Sequence, residues 1–418
     1  MSAVRSPQSI VHSQQHPLVV RYGLWTTDYG LTWLLVAACL AVLSGCGKQG
    51  PVVKLGFVAP LTGDQAPHGQ DMLNGAMLAV RHANAQGPVI PGRTLILHPL
   101  DDQRSPTQAV AVAKKLVADP DVVAVIGHLN SSCTMPASAI YHQARLLQIT
   151  PVSSNPQISR QGFDTFYRTC ATDDLQGPAA AMFATRCPSI LYTAPDRSFF
   201  GLCAKTILIL DDMTTYGRGL ANEFERRARE LGAEVLGHEG ITQGDKDFVP
   251  LLTKLKALSP DLVYFAGMFP EGALLIKQRA EVGLTSRFMG GDGLFDPVLI
   301  DLAGAEAAEG IYLTTIGSDI HLIPTARTFI AEYEREFGAV GAYSAYAYEA
   351  TSLAIEAIRR AGVKDRAAVL SAMKTITDYP GLFGPHNFDE QGDSLIRDIG
   401  IFTVKNGRFL FLKAATWE

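Results

Sequence analysis

Short hydroxyl side chains follow the most apolar short segment of the sequence. Val122–Gly127 reads VVAVIG, which is typical of a strand buried inside a parallel sheet. The three hydroxyl residues that come after it are Ser131, Ser132 and Thr134, and a helix is predicted from Ala137. Free backbone N–H groups at a helix N-terminus, together with short hydroxyls, bind carboxylates and other anions. The segment therefore indicates an anion site, although simple helix capping explains the same residues.

Other predicted strands also end in polar residues. Residues 152–156 read VSSNP after the strand at 146–151, and Asp292 lies in GGDG after the apolar residues RFM. A carboxylate between glycines could pair with an ammonium group, while a turn aspartate is the simpler explanation. Tyr216, near a predicted helix start, could offer its ring or hydroxyl to a ligand or simply pack. Because ligands of open α/β sheets bind outside the carboxyl ends of the strands, these segments are candidates for one site.

The sequence carries no common catalytic signature. It lacks the GxxxxGKS/T phosphate loop, the HExxH zinc helix, the GxSxG nucleophile elbow and a CxxC pair. The histidines are scattered singly, so we expect no metal, no cofactor and no enzymatic activity. The remaining enzymatic interpretation is a secreted hydrolase using Ser131 and His128, which has no evident third triad residue.

Strands and helices alternate along the chain and must position these residues. Strands are predicted at 52–60, 94–100, 122–127 and 146–151, and a second series begins at 206–210 and continues at 233–237, 262–267 and 287–291. Helical patterns separate them, and long helices follow at 326–337, 344–361 and 365–375. This rhythm indicates parallel sheets built from βαβ units, and two doubly wound lobes accommodate so many strands. Asn406-Gly407 predicts a final hairpin.

The composition agrees with a globular chain of more than one domain. The 418 residues are 47% hydrophobic and 18% charged, which is too long for one ordinary domain and too apolar for a disordered chain. A formal net charge of −5 provides no basic field for a phosphate backbone. We therefore expect no nucleic-acid partner.

Residues 1–46 are typical of an export signal. The uncharged run at 31–46 is shorter than the roughly 20 residues that a lone membrane-spanning helix needs, and Arg5 and Arg21 supply a positive flank. The run ends in LSGC at 43–46, which resembles the lipobox of bacterial lipoproteins and implies cleavage before a lipid-modified Cys46. An ordinary secretory signal with a chance cysteine is the alternative. We expect an exported protein, anchored by Cys46 to a membrane and facing the periplasm or cell exterior.

Four of the six cysteines lie beyond Cys46. Oxidising compartments outside the cytoplasm permit disulfides. Cys187 and Cys203 bracket a short segment and are the first pair to expect, while free buried thiols are equally compatible with the spacing.

Five segments in order resemble the leucine/isoleucine/valine-binding proteins of bacterial ABC importers. They are DDQRSPTQAVAVAKKLV (101–117), VIGHLNSSCTMPASAIY (125–141), ITPVSSNP (149–156), GITQGDKDF (240–248) and FMGGDG (288–293). The resemblance implies the type I periplasmic-binding fold, with two Rossmann-like lobes joined by a three-strand hinge. The implied lobes are 52–172 plus 318–382 and 173–317 plus 383–418.

The resemblance also assigns roles to particular residues. It implies that Ser131 binds the carboxylate of an amino acid and that Ser154 contacts the same end of the ligand. Val152 would act through its backbone carbonyl, Tyr216 would line the pocket from the second lobe, and Asp292 would pair with the α-ammonium. Charge-assisted bonds at both ends would position a zwitterion while an apolar region reads its side chain.

Several positions depart from the family pattern. His68 and Met268 occupy positions where the family carries aromatic residues, and Arg104 and Asn130 occupy its disulfide positions. The resemblance implies an importer component that delivers an α-amino acid, aliphatic or branched-chain, to ABC permease subunits. The departures keep a second hypothesis open, in which the same fold binds an amide, an aromatic acid or another small molecule as a transporter component or sensor.

Overall fold

The computed structural model describes residues 51–187 and 201–415. The predicted signal peptide and the lipobox Cys46 lie outside these residues. Within the described residues, no helix is both long and apolar enough to cross a bilayer. The disulfide expected between Cys187 and Cys203 is present, and Cys133 and Cys170 are free and buried.

The first lobe is built on a five-stranded parallel sheet in the order β2-β1-β3-β4-β5. The strands are β1 (Val52–Ala59), β2 (Thr94–Asp101), β3 (Val122–Gly127), β4 (Leu147–Thr150) and β5 (Phe166–Arg168). Every residue of β3 and β4 is buried. A strand that is buried on both faces has a continuous run of apolar residues. The sequence VVAVIG therefore predicts an interior strand of the sheet.

Helices cover both faces of this sheet. They are α1 (Ala66–Ala85), α2 (Pro106–Ala118) and α3 (Ser131–Gln143), and, from later in the chain, α11 (Ser344–Ala361) and α12 (Arg366–Met373), while α10 (Arg327–Phe337) packs against α1. On β1, Leu55 and Phe57 face α1 and α11, whereas Val58 faces α2 and α3, as the two-residue period of a strand requires. At Gly75 a Cβ atom would overlap the Ser344 carbonyl, so only glycine allows α1 and α11 to approach this closely.

The second lobe is built on a seven-stranded sheet in the order β14-β13-β10-β9-β8-β6-β7. Its strands are β6 (Thr206–Asp211), β7 (Glu234–Gly240), β8 (Leu262–Ala266), β9 (Arg287–Gly290), β10 (Tyr312–Thr315), β13 (Gly400–Lys405) and β14 (Arg408–Ala414). Its helices are α4 (Asp173–Thr185), α5 (Thr215–Glu230), α6 (Val249–Lys256), α7 (Phe269–Glu281), α8 (Pro297–Ala303) and α9 (Ala305–Ala308). Strands β13 and β14 are antiparallel, and both turn residues, Asn406 and Gly407, have the positive φ that the predicted hairpin needs.

The chain passes between the lobes three times, at residues 169–172, 316–326 and 387–399. Backbone pairing near these crossings is limited to isolated bridges rather than continuous strands. The expected boundary between residues 382 and 383 is wrong, because it divides the hairpin of β11 (Tyr379–Gly381) and β12 (Gly384–His386). His386 also bonds to Glu349 of α11, so this hairpin belongs to the first lobe and the chain leaves that lobe after it.

Helix α3 begins at Ser131, six residues before the predicted start at Ala137. Pro136 therefore lies inside the helix, although proline lacks the N–H that helix hydrogen bonds require. Hydrogen bonds from the first turn to the loop after β4 hold the helix together there: Thr134 Oγ1 lies 2.6 Å from Ser153 Oγ, and Ser131 Oγ accepts from the Asn155 amide at 3.4 Å.

Candidate ligand-binding cleft

The first-lobe side of the cleft consists of the loops after β3 and β4, braced against each other. Ser153 Oγ donates to the Leu129 carbonyl at 2.9 Å, and Thr150 Oγ1 donates to the His128 carbonyl at 2.9 Å. The fully buried guanidinium of Arg168 donates to the Ser153 and Asn155 carbonyls at 2.7 and 2.9 Å. These bonds hold the backbone of both loops rigidly at the edge of the sheet.

The N-terminus of α3 opens this side of the cleft. The amides of Cys133 and Thr134 bond to the Asn130 carbonyl, and Asn130 makes no side-chain cap. Ser131 and Ser132 occupy the first two positions of the helix, where amides have no intrahelical acceptor. The Ser131 hydroxyl accepts from the Asn155 amide, and no acceptor for its own proton is found among the residues that the structure describes, so that proton remains to be donated. The first turn of α3 can therefore bind an anion.

Asp292 lies across the cleft, in a tight turn after β9. Its side chain is 4% exposed and is held between two tyrosines, with the Tyr216 hydroxyl 2.8 Å from Oδ1 and the Tyr343 hydroxyl 3.0 Å from Oδ2. The turn requires glycine at Gly293, where a Cβ atom would overlap the Gly267 carbonyl. A carboxylate has about four lone-pair positions, more than the two tyrosines use, so another donor such as an ammonium group can still bind.

Burial controls the protonation of this cluster. Desolvation raises the pKa of the Asp292 carboxyl, and the hydrogen bond from Tyr216 opposes that shift. Desolvation also raises the pKa of the Tyr216 and Tyr343 hydroxyls well above the usual tyrosine range. Both tyrosines therefore stay protonated and act as donors, and Asp292 is a buried acceptor whose charge a cation would compensate.

Contacts within the first lobe position Tyr343. This residue precedes α11, and its backbone amide donates to Asp71 Oδ2 at 2.7 Å, while the Ser344 amide donates to the same oxygen at 2.8 Å. The Tyr333 hydroxyl donates to Asp71 Oδ1 at 2.7 Å. Asp71 of α1 thus fixes the start of α11 and aims Tyr343 at Asp292. Sequence reasoning missed Tyr343, whose only local signal is its place just before a predicted helix.

One cavity brings most of the predicted site residues together. Ser131, Ser132, Val152, Tyr216, Met268 and Asp292 line it, with Tyr343. Ser154 and His68 are absent from its lining. Ser154 is buried, with its carbonyl accepting from the Asp173 amide at 3.0 Å. His68 lies in α1, 3.0 Å from Asp296 and edge-on to the rings of Phe269 and Tyr343, so it supports the site from outside.

The geometry does not support the hydrolase interpretation. His128 is fully buried, with Nδ1 2.7 Å from Asp102 and Nε2 3.2 Å from the Tyr141 hydroxyl. Both ring nitrogens are therefore occupied, and neither is placed to take a proton from Ser131. Among residues 51–187 and 201–415, no group of histidine, cysteine and carboxylate side chains could hold a metal ion.

Two doubly wound lobes, with an anion-binding helix terminus on one and a buried carboxylate on the other, define a cleft that binds small molecules at strand ends. The chain belongs to the periplasmic binding protein family, which it matches over residues 52–408. That family is one of exported binding proteins.

Relatives of known name agree with this assignment. An amino acid binding protein of Pseudomonas aeruginosa is 34% identical over 350 residues, which cover 84% of this chain and 89% of the relative. A leucine-, isoleucine-, valine-, threonine- and alanine-binding protein of the same organism is 34% identical over 364 residues, covering 87% and 92%. The crystal structure of a leucine-binding protein from Thermotoga maritima is 29% identical with a TM-score of 0.78, covering 88% of this chain and 99% of that one.

Proposed function

We propose that this protein binds an α-amino acid between its two lobes and delivers it to the permease of an ABC importer. The observation that carries the proposal is the position of Asp292. A buried carboxylate with two tyrosine donors lines the same cavity as the first turn of α3, and this supports a cation site and an anion site within reach of one ligand.

Each end of a zwitterion has a partner in this arrangement. The ligand carboxylate would accept from the Ser131 hydroxyl and the first amides of α3, where the helix dipole favours negative charge. The ligand ammonium would donate to Asp292 and to the Val152 carbonyl. Tyr216 and Met268 would cover the ligand from the second lobe. Ser154, which is buried and does not line the cavity, would hold the loop rather than contact the ligand directly.

Binding and closure of the cleft would be coupled. The lobes already meet through the Asn155 side chain, which donates to the Thr215 carbonyl at 2.6 Å, and through the Tyr343 bond to Asp292. A ligand held by Ser131 on one lobe and Asp292 on the other stabilises the closed state alone, because an open cleft separates the two groups. A permease could then recognise the loaded protein by its closed shape.

The names of the relatives support the ligand class. Both Pseudomonas relatives are named for binding amino acids, and one name specifies aliphatic side chains among others. The proposal also includes export and a lipid anchor at Cys46, which rests on the LSGC sequence at 43–46. In membrane fractionation, Cys46→Ser should move the protein from the membrane fraction to the aqueous one.

Identification of the ligand tests the function directly. Mass spectrometry of material released by denaturing freshly purified protein should show an α-amino acid, and calorimetry with a panel of α-amino acids should then give its affinity. Asp301 is an exposed carboxylate of α8, and Asp301→Asn is the matched control for Asp292→Asn. It should leave the affinity unchanged. Failure of every α-amino acid to bind would refute the proposed ligand class.

A further inference from the structure

The cavity that contains Ser131 and Asp292 also has a polar wall. This wall consists of Arg104, Asn130, Asp212, Thr214 and Gln243. Arg104 and Asn130 occupy the positions at which the resembling family carries a disulfide. A polar wall is unexpected for a pocket that binds only aliphatic side chains. An aliphatic ligand would bury these polar groups without giving them hydrogen-bond partners, which costs free energy.

Arg104 spans the cleft, and its Nε donor is unpartnered among the described residues. Its side chain is 5% exposed, and its Nη1 and Nη2 atoms lie 3.3 and 3.2 Å from the two carboxylate oxygens of Glu271 in the second lobe. Nη1 also lies 3.3 Å from Asp64. The Nε atom, which carries one of the five N–H donors of a guanidinium, has no hydrogen-bond partner in the described part of the chain. The two-pronged contact with Glu271 therefore fixes the guanidinium and leaves Nε–H unsatisfied.

Asp212 keeps one acceptor free beside Arg104. Its Oδ1 accepts from the Thr214 amide at 3.1 Å and from the Thr214 hydroxyl at 2.6 Å. Its Oδ2 is buried without a hydrogen-bond partner among the described residues and lies 3.8 Å from Arg104 Nη2, beyond hydrogen-bond length. Burial raises the pKa of Asp212 to about 6, so at neutral pH its free oxygen is mostly an anionic acceptor.

The charge balance excludes an anionic group at this wall. The single positive charge of Arg104 is already shared by the carboxylates of Asp64, Asp212 and Glu271. A further carboxylate would face a net negative cluster in a desolvated setting. The unpartnered Nε–H of Arg104 needs an acceptor, and the unpartnered Oδ2 of Asp212 needs a donor. A neutral group that carries one acceptor and one donor provides both.

We propose that this polar wall selects an amino acid whose side chain ends in a carboxamide, an inference that rests on the amino acid site proposed above. The amide oxygen accepts from Arg104 Nε, and the amide N–H donates to Asp212 Oδ2. Asn130 Oδ1, which also has no partner within residues 51–187 and 201–415, is a second acceptor for the amide nitrogen. The wall thus determines specificity, while Ser131 and Asp292 bind the common backbone of the ligand.

Calorimetry with matched ligands tests this specificity. Asparagine and leucine have nearly the same shape, and glutamine and glutamate differ only in charge. We expect the affinity for asparagine or glutamine to exceed that for leucine by at least about tenfold, because a site with unpaired polar groups disfavours a ligand that cannot pair them. Glutamate should bind more weakly than glutamine.

Two variants connect the preference to the wall. Asp212→Asn keeps the Oδ1 acceptor for Thr214 and changes the free oxygen to an amide, and Arg104→Lys keeps the positive charge opposite Glu271 but removes the Nε donor. Each should lower the ratio of carboxamide to leucine affinity about tenfold. The matched control Arg145→Lys, in an exposed ion pair, should not change that ratio.

The outcomes separate this inference from the proposed function. Leucine binding as tightly as both carboxamides, or an affinity ratio unchanged in both wall variants, would overturn the inference and leave amino acid binding intact. Absence of binding by any amino acid would instead refute the proposed function. Thermal unfolding of each variant shows whether a lost affinity reflects a lost fold.

Discussion

Replacing Asp292 with asparagine provides the most direct test of the site. The substitution keeps the shape of the side chain and its Oδ1 acceptor for the Tyr216 hydroxyl, which lies 2.8 Å away. It removes the negative charge and turns the second oxygen, which accepts from Tyr343 at 3.0 Å, into a donor. A ligand ammonium would then be buried without its counter-charge.

The size of the effect follows from this geometry. Truncating one partner of a buried charge pair costs about 2 to 5 kcal/mol, and each 1.4 kcal/mol is about tenfold in affinity. Because asparagine retains one acceptor, we expect about 2 to 3 kcal/mol, which corresponds to roughly 30-fold to 150-fold weaker binding.

The unliganded protein should respond in the opposite direction. Burial raises the pKa of Asp292 in the folded state above its unfolded value, so the charged carboxylate at neutral pH disfavours folding. A neutral asparagine relieves that cost. The midpoint of thermal unfolding of Asp292→Asn without ligand should therefore equal or exceed that of the wild type.

Calorimetry with the amino acid identified in the purified protein, alongside unliganded thermal unfolding, measures both effects. The exposed control Asp301→Asn should match the wild type in each assay. An affinity for Asp292→Asn within about twofold of the wild type would refute the role of Asp292 as the ammonium partner, since a lost buried charge pair costs far more. Loss of both affinity and stability would indicate a structural role instead.

Three further predictions concern pH, the disulfide and the support of the site. Ligand affinity should fall on acidification as Asp292 becomes protonated. Because burial raises the pKa of Asp292, this fall should begin at a higher pH than it would for an exposed aspartate. Calorimetry at several pH values should show that Asp292→Asn has lost this dependence. Cys187→Ser should lower the free energy of unfolding by about 3 kcal/mol, because the bond to Cys203 closes a loop of sequence separation 16; an equally stable variant in denaturant unfolding would contradict this. Asp71→Ala should weaken ligand binding, since a carboxylate oxygen of Asp71 holds the Tyr343 amide, and unchanged affinity in calorimetry would remove Asp71 from the support of the site.

Local patterns in the sequence predicted many of the strands and helices of this fold, although not β5 or β10. The apolar run of β3 predicts a strand buried on both faces, and Asn406-Gly407 predicts the turn of the last hairpin, because both depend on a few adjacent residues. The start of α3 could not be placed in this way. Bonds to Ser153 and Asn155, which lie on another loop, compensate for Pro136 and extend the helix to Ser131.

In the candidate site, too, some residues were predicted from the sequence and others were found only in the tertiary structure. The sequence by itself indicated Ser131 and Asp292, because strand ends in a parallel sheet meet at one edge and the family resemblance assigned them to two ends of a ligand. Only the tertiary structure added Tyr343 and the polar wall that contains Arg104 and Asp212. An unpaired buried atom is a property of what packs around it, and these partners lie far apart in the chain, so no local pattern records which of their hydrogen bonds remain unmade.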